Sequence, residues 1–220
     1  NVCSMVDTAM SHFDDIDIRT YIINDNHWPA QQLLSEHPLF YPIRELPLLT
    51  GAESDEQKPV LRLVILGCSE VTEWLIREAF WMMEFRSNPI ISKITVLDEH
   101  AEDAVNRLKA RIPGLATELK IEGLVRAQIH GINIDLDTYS LDSRIAEFVE
   151  APNHYCYFAV ATTKGDMYNL SLAKRVREML TRSSIHTQDE VRLKDSAPVA
   201  FLCKDQYVAW SSREMVVEKE

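Results

Sequence analysis

The chain has 220 residues, of which 46% are hydrophobic and 26% charged, with six glycines and four cysteines. This composition supplies enough apolar material for a globular core and excludes a disordered chain, a collagen and a disulfide-stapled miniprotein. Acidic residues outnumber basic ones by 34 to 23, which gives a net charge of −11. Because nucleic acids and anionic membrane surfaces would repel such a protein, we expect it to bind neither.

The longest strongly apolar stretches, residues 61–66 and 155–161, are far shorter than the ~20 residues that cross a bilayer. No signal-peptide pattern opens the chain. We therefore expect a cytoplasmic protein, or the cytosolic part of a membrane-associated one, without direct membrane insertion. The chain begins at Asn1 rather than at a methionine, so we expect a segment of a longer protein with partner domains beyond it.

Residues 1–59 are expected to form a small α/β extension of their own. The isoleucines and the tyrosine over residues 16–23 favour a strand, and Pro29 near the start of residues 28–36 favours a short helix. The polar, charged stretch over residues 51–59 is typical of an exposed linker. Whether this extension joins the sheet that follows or belongs to a neighbouring domain stays open at the level of sequence.

Five short runs are almost wholly apolar, as expected for strands that are covered on both faces of a sheet. They occupy residues 61–66, 94–97, 124–129, 155–161 and 199–203. Apolar residues at helical spacing lie between them, in stripes over residues 71–82, 101–108, 141–149 and 170–180.

Strands that alternate with helices predict an α/β fold, a Rossmann-like doubly wound parallel sheet with strand order 3-2-1-4-5. The main domain is expected over residues 60–205, followed by a tail over residues 206–220. The polar stretch over residues 183–196 favours a mobile loop or an irregular extension of the fourth helix.

In such sheets, ligands bind outside the carboxyl ends of the strands where the strand order reverses. Gly67, after the first strand, matches the first glycine of the dinucleotide-binding pattern Gly-x-Gly-x-x-Gly, but Ser69 and Thr72 replace the other two. Glu70 and Glu73 open the following helix and would repel a pyrophosphate. The loop is therefore either a working phosphate cradle or a degenerate one filled by its own side chains.

Asp98 and Glu99 end the second strand, where an acid can accept hydrogen bonds from an adenosine ribose. Capping of the helix that begins near Ala101 is the other interpretation of Asp98. We expect His130 and Gly131 to follow the third strand, with His130 either against a ligand base or packed on the protein, and with Gly131 allowing close approach.

The loop after the fourth strand carries Thr162 and Thr163, which are placed to face a ligand, and Lys164 as a cation. Asp166 is a candidate N-cap for the next helix. The four cysteines are scattered without a C-x-x-C pair, so we expect reduced thiols and no metal site.

Four motifs together resemble the TrkA-N domain, also called the KTN or RCK domain. They are the run Val-Ile-Leu-Gly-Cys-Ser-Glu-Val-Thr ending at Thr72, the strand end Thr-Val-Leu-Asp at Asp98, the Gly131 turn, and Asp-Met-Tyr-Asn-Leu-Ser-Leu-Ala beginning at Asp166. The resemblance covers about residues 60–205. Residues 30–40 and 111–115 are similar to a prokaryotic subgroup associated with ryanodine-receptor-type repeat domains.

The resemblance implies a regulatory module that binds NAD or another adenine nucleotide, forms a homodimer and controls an attached ion channel, potassium transporter or receptor-like domain. No catalytic activity is expected. The nucleotide-binding residues that follow from the motifs are Gly67, Cys68, Ser69, Glu70, Val71, Asp98, Glu99, His130, Gly131, Thr162, Thr163, Asp166 and Asn169.

Three alternatives remain. A degenerate Rossmann scaffold would serve only dimerisation or docking. An NAD-dependent oxidoreductase is less favoured, because only residues 206–220 follow the last strand and would have to supply a substrate domain. A nucleophilic Cys68 at a helix N-terminus is the least favoured, because Glu70 opposes a lowered thiol pKa.

Overall fold

The computed structural model describes residues 27–39, 59–83, 90–116, 127–151, 153–185 and 197–203. Helices and strands alternate through these ranges. In chain order they are α1 (His27–Glu36), β1 (Val60–Leu66), α2 (Glu70–Met82), β2 (Ile91–Asp98), α3 (Ala101–Arg111), α4 (Pro113–Ala116), β3 (Gln128–Asn133), α5 (Tyr139–Glu150), β4 (His154–Val160), α6 (Asp166–Ile185) and β5 (Val199–Phe201).

The five strands form one parallel sheet in the order β3-β2-β1-β4-β5, which confirms the predicted fold class and strand order. Leu66 at the end of β1 is paired with Leu97 of β2 and with Val160 of β4. The carboxyl ends of the three central strands therefore lie at one edge, and the strand order reverses between β1 and β4. The loops after β1 and β4 meet at this switch point.

Alternate residues of β1 enter two separate cores, because successive side chains of a strand point to opposite faces. Leu63 and Ile65 belong to the core under α1, α2 and α3, whereas Val64 and Leu66 belong to the core under α5 and α6. All seven residues of β1 are buried. The almost wholly apolar run that predicted this strand thus reflects helices on both faces.

The predicted end of the third strand at residue 129 is wrong, since β3 continues to Asn133. Residues 124–126 of that prediction lie outside the described residues. β3 is an edge strand of the sheet and is only partly buried. An edge strand tolerates His130, Gly131 and Asn133, so an apolar run is a poor guide to its end.

The predicted short helix of the N-terminal extension is confirmed as α1, and it packs against α2. The His27 imidazole lies 2.8 Å from Glu78 Oε1 and its ring centroid lies 4.4 Å from that of Trp74. α1 therefore belongs to the same domain as the sheet. The predicted strand over residues 16–23 and residues 51–58 of the predicted linker fall outside the described residues.

Helix α6 runs through Ile185, so residues 183–185 extend this helix, as the second alternative for residues 183–196 predicted. The rest of that loop, residues 186–196, is outside the described part of the chain. Within the described ranges, no helix combines the length and the hydropathy that a bilayer span requires.

Candidate ligand-binding site

Gly67 lies at the switch point, between the ends of β2 and β4. Its φ of +106° is a conformation that residues with a side chain rarely adopt. A Cβ at this position would lie 2.7 Å from Thr162 Cα, and the Gly67 N–H donates to Leu97 O at 2.9 Å. Glycine is therefore required here by the protein's own backbone, which closes around it.

Ser69 and Thr72 cap the N-terminus of α2 with a capping box, so each side chain bonds to the other residue's backbone. Thr72 N–H donates to Ser69 Oγ at 3.4 Å, and Ser69 N–H donates to Thr72 Oγ1 at 3.1 Å. Thr72 Oγ1 also donates to Gly67 O at 2.9 Å. Amides that a phosphate would use are thus occupied within the loop.

The acidic side chains of the first turn of α2 differ in their surroundings. Glu70 is exposed at the first position of the helix. Glu73 forms an ion pair with Arg111 at the end of α3. Val71 is 4% exposed and packs into the core, so its side chain faces inward rather than into the loop.

Asp98 is half-buried at the end of β2, and both carboxylate oxygens are held by backbone amides. Oδ2 accepts from Cys68 N–H at 3.0 Å, and Oδ1 accepts from His100 N–H at 3.2 Å. A carboxylate oxygen can accept two hydrogen bonds, so each of the two retains capacity for one more. Asp98 therefore offers an oriented pair of acceptors beside the loop after β1, next to the exposed Glu99.

The first turn of α3 is capped by a side chain at the end of β3. Glu102 N–H donates to Asn133 Oδ1 at 2.9 Å, whereas Asp98 bonds to the amide of His100, before the helix. Sequence reasoning missed Asn133 because it placed the end of β3 too early. Asn133 therefore bonds to the first turn of α3, and Asp98 holds the amide of its N-cap residue, His100, together with the amide of Cys68.

The Cys68 thiol is half-buried, and its surroundings keep it protonated. Burial, with the negative charge of Asp98 as a second cause, raises the pKa of Cys68 to about 12. A thiol with this pKa is almost entirely un-ionised at neutral pH, so the geometry argues against a nucleophilic Cys68.

The prediction that His130 and Gly131 follow β3 is wrong. Both residues lie inside this strand, paired with Thr95 and Val96. His130 is exposed three residues before the strand ends, which is ~10 Å along a strand. A Cβ on Gly131 would lie 2.4 Å from Ala101 O. The close approach that this glycine allows is therefore that of α3, and neither residue is at the carboxyl edge with Asp98.

Thr162, which follows β4, and Asn169, in α6, are joined by buried hydrogen bonds. Asn169 Oδ1 accepts from Thr162 N–H at 3.1 Å and from Thr162 Oγ1 at 2.7 Å, and Asn169 Nδ2 donates to Leu202 O at 3.0 Å. Both side chains are buried. The amide of Asn169 thus ties the end of β4, helix α6 and the residue after β5 together, and this pair serves the fold.

The other predicted residues of this loop have different positions. Asp166 is the first residue of α6 and not its N-cap, because Gly165 O accepts the first helical bond, from Asn169 N–H at 3.0 Å. Thr163 is exposed. Asp166 Oδ2 lies 3.7 Å from Cys203 Sγ, which places it toward the end of β5.

Lys164, the cation that the sequence places in this loop, pairs with a carboxylate from the loop after β3. Its Nζ lies 2.8 Å from Asp137 Oδ2, and Tyr168 OH donates to Asp137 Oδ1 at 2.7 Å. The hydrogen bond with Asp137 raises the pKa of Lys164, and the same bond lowers the pKa of Asp137. A ligand anion would have to compete with Asp137 for this ammonium.

Two spaces of very different size adjoin the switch point. A void of about 40 Å³ between α2 and α3 touches Cys68, Thr72 and Val105 and has room for little more than one water. An open cavity of about 570 Å³ lies beside α1, α2 and β5 and reaches Arg177 of α6. Asp98 lines neither of these two spaces, and the large one opens on the other side of the loop.

Sequence reasoning missed this cavity. Ala159 of β4, Ala161 directly after β4 and Ala200 of β5 border it. Alternating small residues on neighbouring strands leave room beside a sheet, so this alternation is the signal that could have found the cavity. The runs containing them were interpreted only as buried strands.

The structure brings Gly67, Cys68, Ser69 and Asp98 together at one edge and places His130 and Gly131 elsewhere. Among the described residues, no three His, Cys, Asp or Glu side chains could hold a metal ion together. The fold and this edge define an α/β protein with a Rossmann-like sheet. Comparison with protein-family models, with curated proteins and with solved structures gave no match. The resemblance to TrkA-N domains therefore stays a prediction from the motifs.

Proposed function

We propose that this domain is a regulatory module that binds an adenine nucleotide, NAD included, at the switch point, with the ribose hydroxyls on Asp98. The observation that carries the proposal is the carboxylate of Asp98, fixed by two backbone amides and able to accept one further bond at each oxygen. The 2′- and 3′-hydroxyls of a ribose form a matching pair of donors.

The amides of Cys68 and His100 hold this carboxylate before a ligand arrives. A group that is already oriented loses little conformational freedom on binding, which favours affinity. Hydrogen bonds to an ionised acceptor are also stronger than those between neutral groups. Asp98 is thus the residue on which nucleoside recognition depends in this proposal.

The phosphates contribute little in this arrangement. Ser69 caps α2, and Glu70 adds negative charge where a pyrophosphate would lie. We therefore expect adenosine to bind about as tightly as NAD or ATP, within roughly fivefold, because the recognised part is the nucleoside.

The regulatory output comes from the resemblance to TrkA-N domains. A ligand shifts an attached channel, transporter or receptor-like domain only through its different affinity for two arrangements of the protein. We propose no catalytic role. A homodimer is part of the same proposal, and Trp28 and Trp81, 62% and 65% exposed on α1 and α2, offer apolar surface for it.

Isothermal titration with adenosine, NAD and ATP tests the ligand class. We expect saturable binding of all three, and a loss of at least tenfold in Asp98→Asn, which removes the charge from the acceptor pair. Asp103→Asn, an exposed carboxylate in the first turn of α3, is the matched control and keeps the affinity. Absence of binding at millimolar ligand would defeat the proposal.

A second candidate, a scaffold that binds no nucleotide, is favoured by one observation, the capping box of Ser69 and Thr72. Glu70→Lys separates the two candidates. If the domain binds nucleotides, the reversed charge strengthens NAD and ATP binding relative to adenosine. If it is a scaffold that binds no nucleotide, all three ligands give no heat in either protein.

A further inference from the structure

Arg62 is a nearly buried cation on the central strand of the sheet. It is 9% exposed and lies on the face that α5 and α6 cover, because it alternates with Val64 along β1. Its Nη1 donates to Thr95 Oγ1 at 3.0 Å, and its guanidinium carbon lies 4.4 Å from the centre of the Phe148 ring. Its Nε is buried without a hydrogen-bond partner, whereas Nη2 is not enclosed. Burial lowers the pKa of Arg62, but a guanidinium stays charged at neutral pH.

Two further basic side chains flank Arg62 on the same face of the sheet. Lys93 of β2 is its direct partner in the parallel pair, and His154 of β4 is paired with Val60, two residues before Arg62. Neighbouring strands lie ~4.8 Å apart, and side chains in register point to the same face. Burial lowers the pKa of both Lys93 and His154, and the charge of Arg62 is the next cause for each. Arg62, Lys93 and His154 thus form one basic cluster at the amino ends of three strands.

The basic cluster differs from the other cations of this acidic chain. Neither Arg62 nor Lys93 has an ion pair within the part of the chain that the structure describes. Glu147 of α5, whose charge acts on Arg62, is already bonded to Arg144 at 2.6 Å. Carboxylates pair with four other described cations, Arg111, Arg144, Lys164 and Arg175. Because an unpaired charge is costly to bury, an anion that neutralises the cluster would stabilise the folded protein.

The cluster can be reached from the edge of the sheet. Lys93 is half-buried, and so is Gln128, its partner on the edge strand β3. Lys93 is therefore the outer member of the cluster and Arg62 the inner one. A ligand that enters beside β3 meets the ammonium first and the guanidinium behind it.

We propose that the basic cluster binds a phosphate group, with Lys93 and Arg62 Nη2 donating to its oxygens and His154 on its β4 side. The two cations match the charge of approximately −2 that a phosphate group carries near neutral pH, and both side chains are common phosphate ligands. Asp98 lies five residues after Lys93 on β2, roughly 16 Å along the strand and at the opposite edge of the sheet. This site therefore does not depend on the nucleotide proposal.

Titration calorimetry of the whole chain with inorganic phosphate and with glycerol 3-phosphate, at an ionic strength kept constant with sodium chloride, tests the proposal. We expect saturable binding of one phosphate group per chain. A monoester affinity within about fivefold of that of inorganic phosphate assigns the site to a phosphorylated small molecule, and a weaker one assigns it to the free anion. Absence of saturable binding by both ligands at millimolar concentration would overturn the proposal.

A lysine substitution places the anion in the cluster. We expect Lys93→Gln to weaken phosphate binding at least about fivefold, because a charged donor is removed. Lys174→Gln, which removes the same charge at an exposed position of α6, is the matched control and should keep the affinity within about twofold. Equal losses in the two variants would show attraction by net charge alone and overturn the site. Asp98→Asn should weaken adenosine binding and leave phosphate affinity within about twofold, so the two sites can fail independently.

The His154 imidazole reports the anion from within the cluster. A bound dianion favours the imidazolium, so the pKa of His154 should rise, by about 0.5 or more. Sulfate is the probe for this NMR titration, because it carries the same charge and does not titrate between pH 5 and 8. The same sulfate concentration should leave the pKa nearly unchanged in Lys93→Gln, and an unchanged pKa in the unsubstituted protein would overturn the proposal. Charged and titratable groups from β1, β2, β4 and α5 surround the cluster: Arg62, Lys93, Cys156 and Glu147.

Discussion

The loops after β1 and β4 meet at the switch point, and each contains a glycine with positive φ. Gly67, with φ +106°, is enclosed by the backbone of Thr162, whereas Gly165, with φ +102°, has open space around it. The loop after β1 is held by a capping box within six residues. The loop after β4 is held by the buried side-chain amide of Asn169, which bonds to Leu202 directly after β5. Both glycines thus adopt a positive φ, but at Gly67 this conformation permits close packing of two backbones, whereas at Gly165 it only makes a turn.

The difference bears on function because a ligand at this edge must lie against one loop or the other. The loop after β1 is closed on itself but presents the carboxylate of Asp98 at its side. The loop after β4 begins beside a cavity of about 570 Å³, which Ala161 borders. Recognition by polar contacts is therefore expected on the β2 side, where Asp98 presents its carboxylate.

Substituting the two glycines should give the largest effects and the clearest contrast. Gly67→Ala combines an unfavourable φ with a Cβ 2.7 Å from Thr162 Cα, and we expect a loss of about 4 kcal/mol in the free energy of unfolding. Gly165→Ala carries the strain without the contact, so about 1 kcal/mol is expected. Urea denaturation measures both, and equal losses would mean that the crowding at Gly67 is absent.

Removal of the Asn169 amide should come next. Asn169→Ala leaves the Thr162 N–H and Leu202 O without their partner, and we expect a loss of about 3 kcal/mol. Asn106→Ala, at an exposed position of α3, is the control and should cost less than about 0.5 kcal/mol. A small loss in Asn169→Ala would show that the two loops and β5 hold together without this amide.

The capping box of the first loop is expected to contribute less. Thr72→Val preserves the shape of the side chain but removes its bonds to Gly67 O and Ser69 N–H. We expect a loss of about 2 kcal/mol, and about 1 kcal/mol for Ser69→Ala, which removes the N-cap. Thr72→Ser keeps the hydroxyl and should lose less than Thr72→Val, and the reverse order would contradict the assignment.

The smallest expected effect is on the chemistry of Cys68 rather than on stability. Burial and Asp98 raise the pKa of this thiol to about 12, so alkylation by iodoacetamide at pH 8 should be slow and should rise about tenfold per pH unit. Asp98→Asn removes the smaller of the two causes and should speed the reaction a few-fold. Peptide mass spectrometry measures the rate, and rapid labelling of the native protein would contradict the buried thiol.

The sequence was most informative where helices cover both faces of a strand. β1 and β4 are covered in this way, and their apolar runs located them within one residue. β3 is an edge strand, so its polar residues concealed its end, and with it the positions of His130 and Asn133. Periodicity reports burial, and burial is weakest at the edge of a sheet.

The candidate site was only partly predictable for a similar reason. The position of Asp98 follows from the end of β2, and the spacing of Ser69 and Thr72 is that of a local cap. The contact of Thr72 Oγ1 with Ala161 O at 3.4 Å joins residues 89 positions apart, and no local pattern indicates it. The cavity likewise depends on how α1 lies beside β4 and β5, which the spacing of residues within one element does not specify.

The central claim, that Asp98 receives the ribose of an adenine nucleotide, is tested most directly by following backbone amides by NMR during titration with adenosine. Because Cys68 N–H and His100 N–H donate to this carboxylate, their resonances should show the largest shifts, saturating together with one affinity. Asp98→Asn should weaken that affinity at least tenfold. Shifts centred on other residues, or none at millimolar adenosine, would contradict the account.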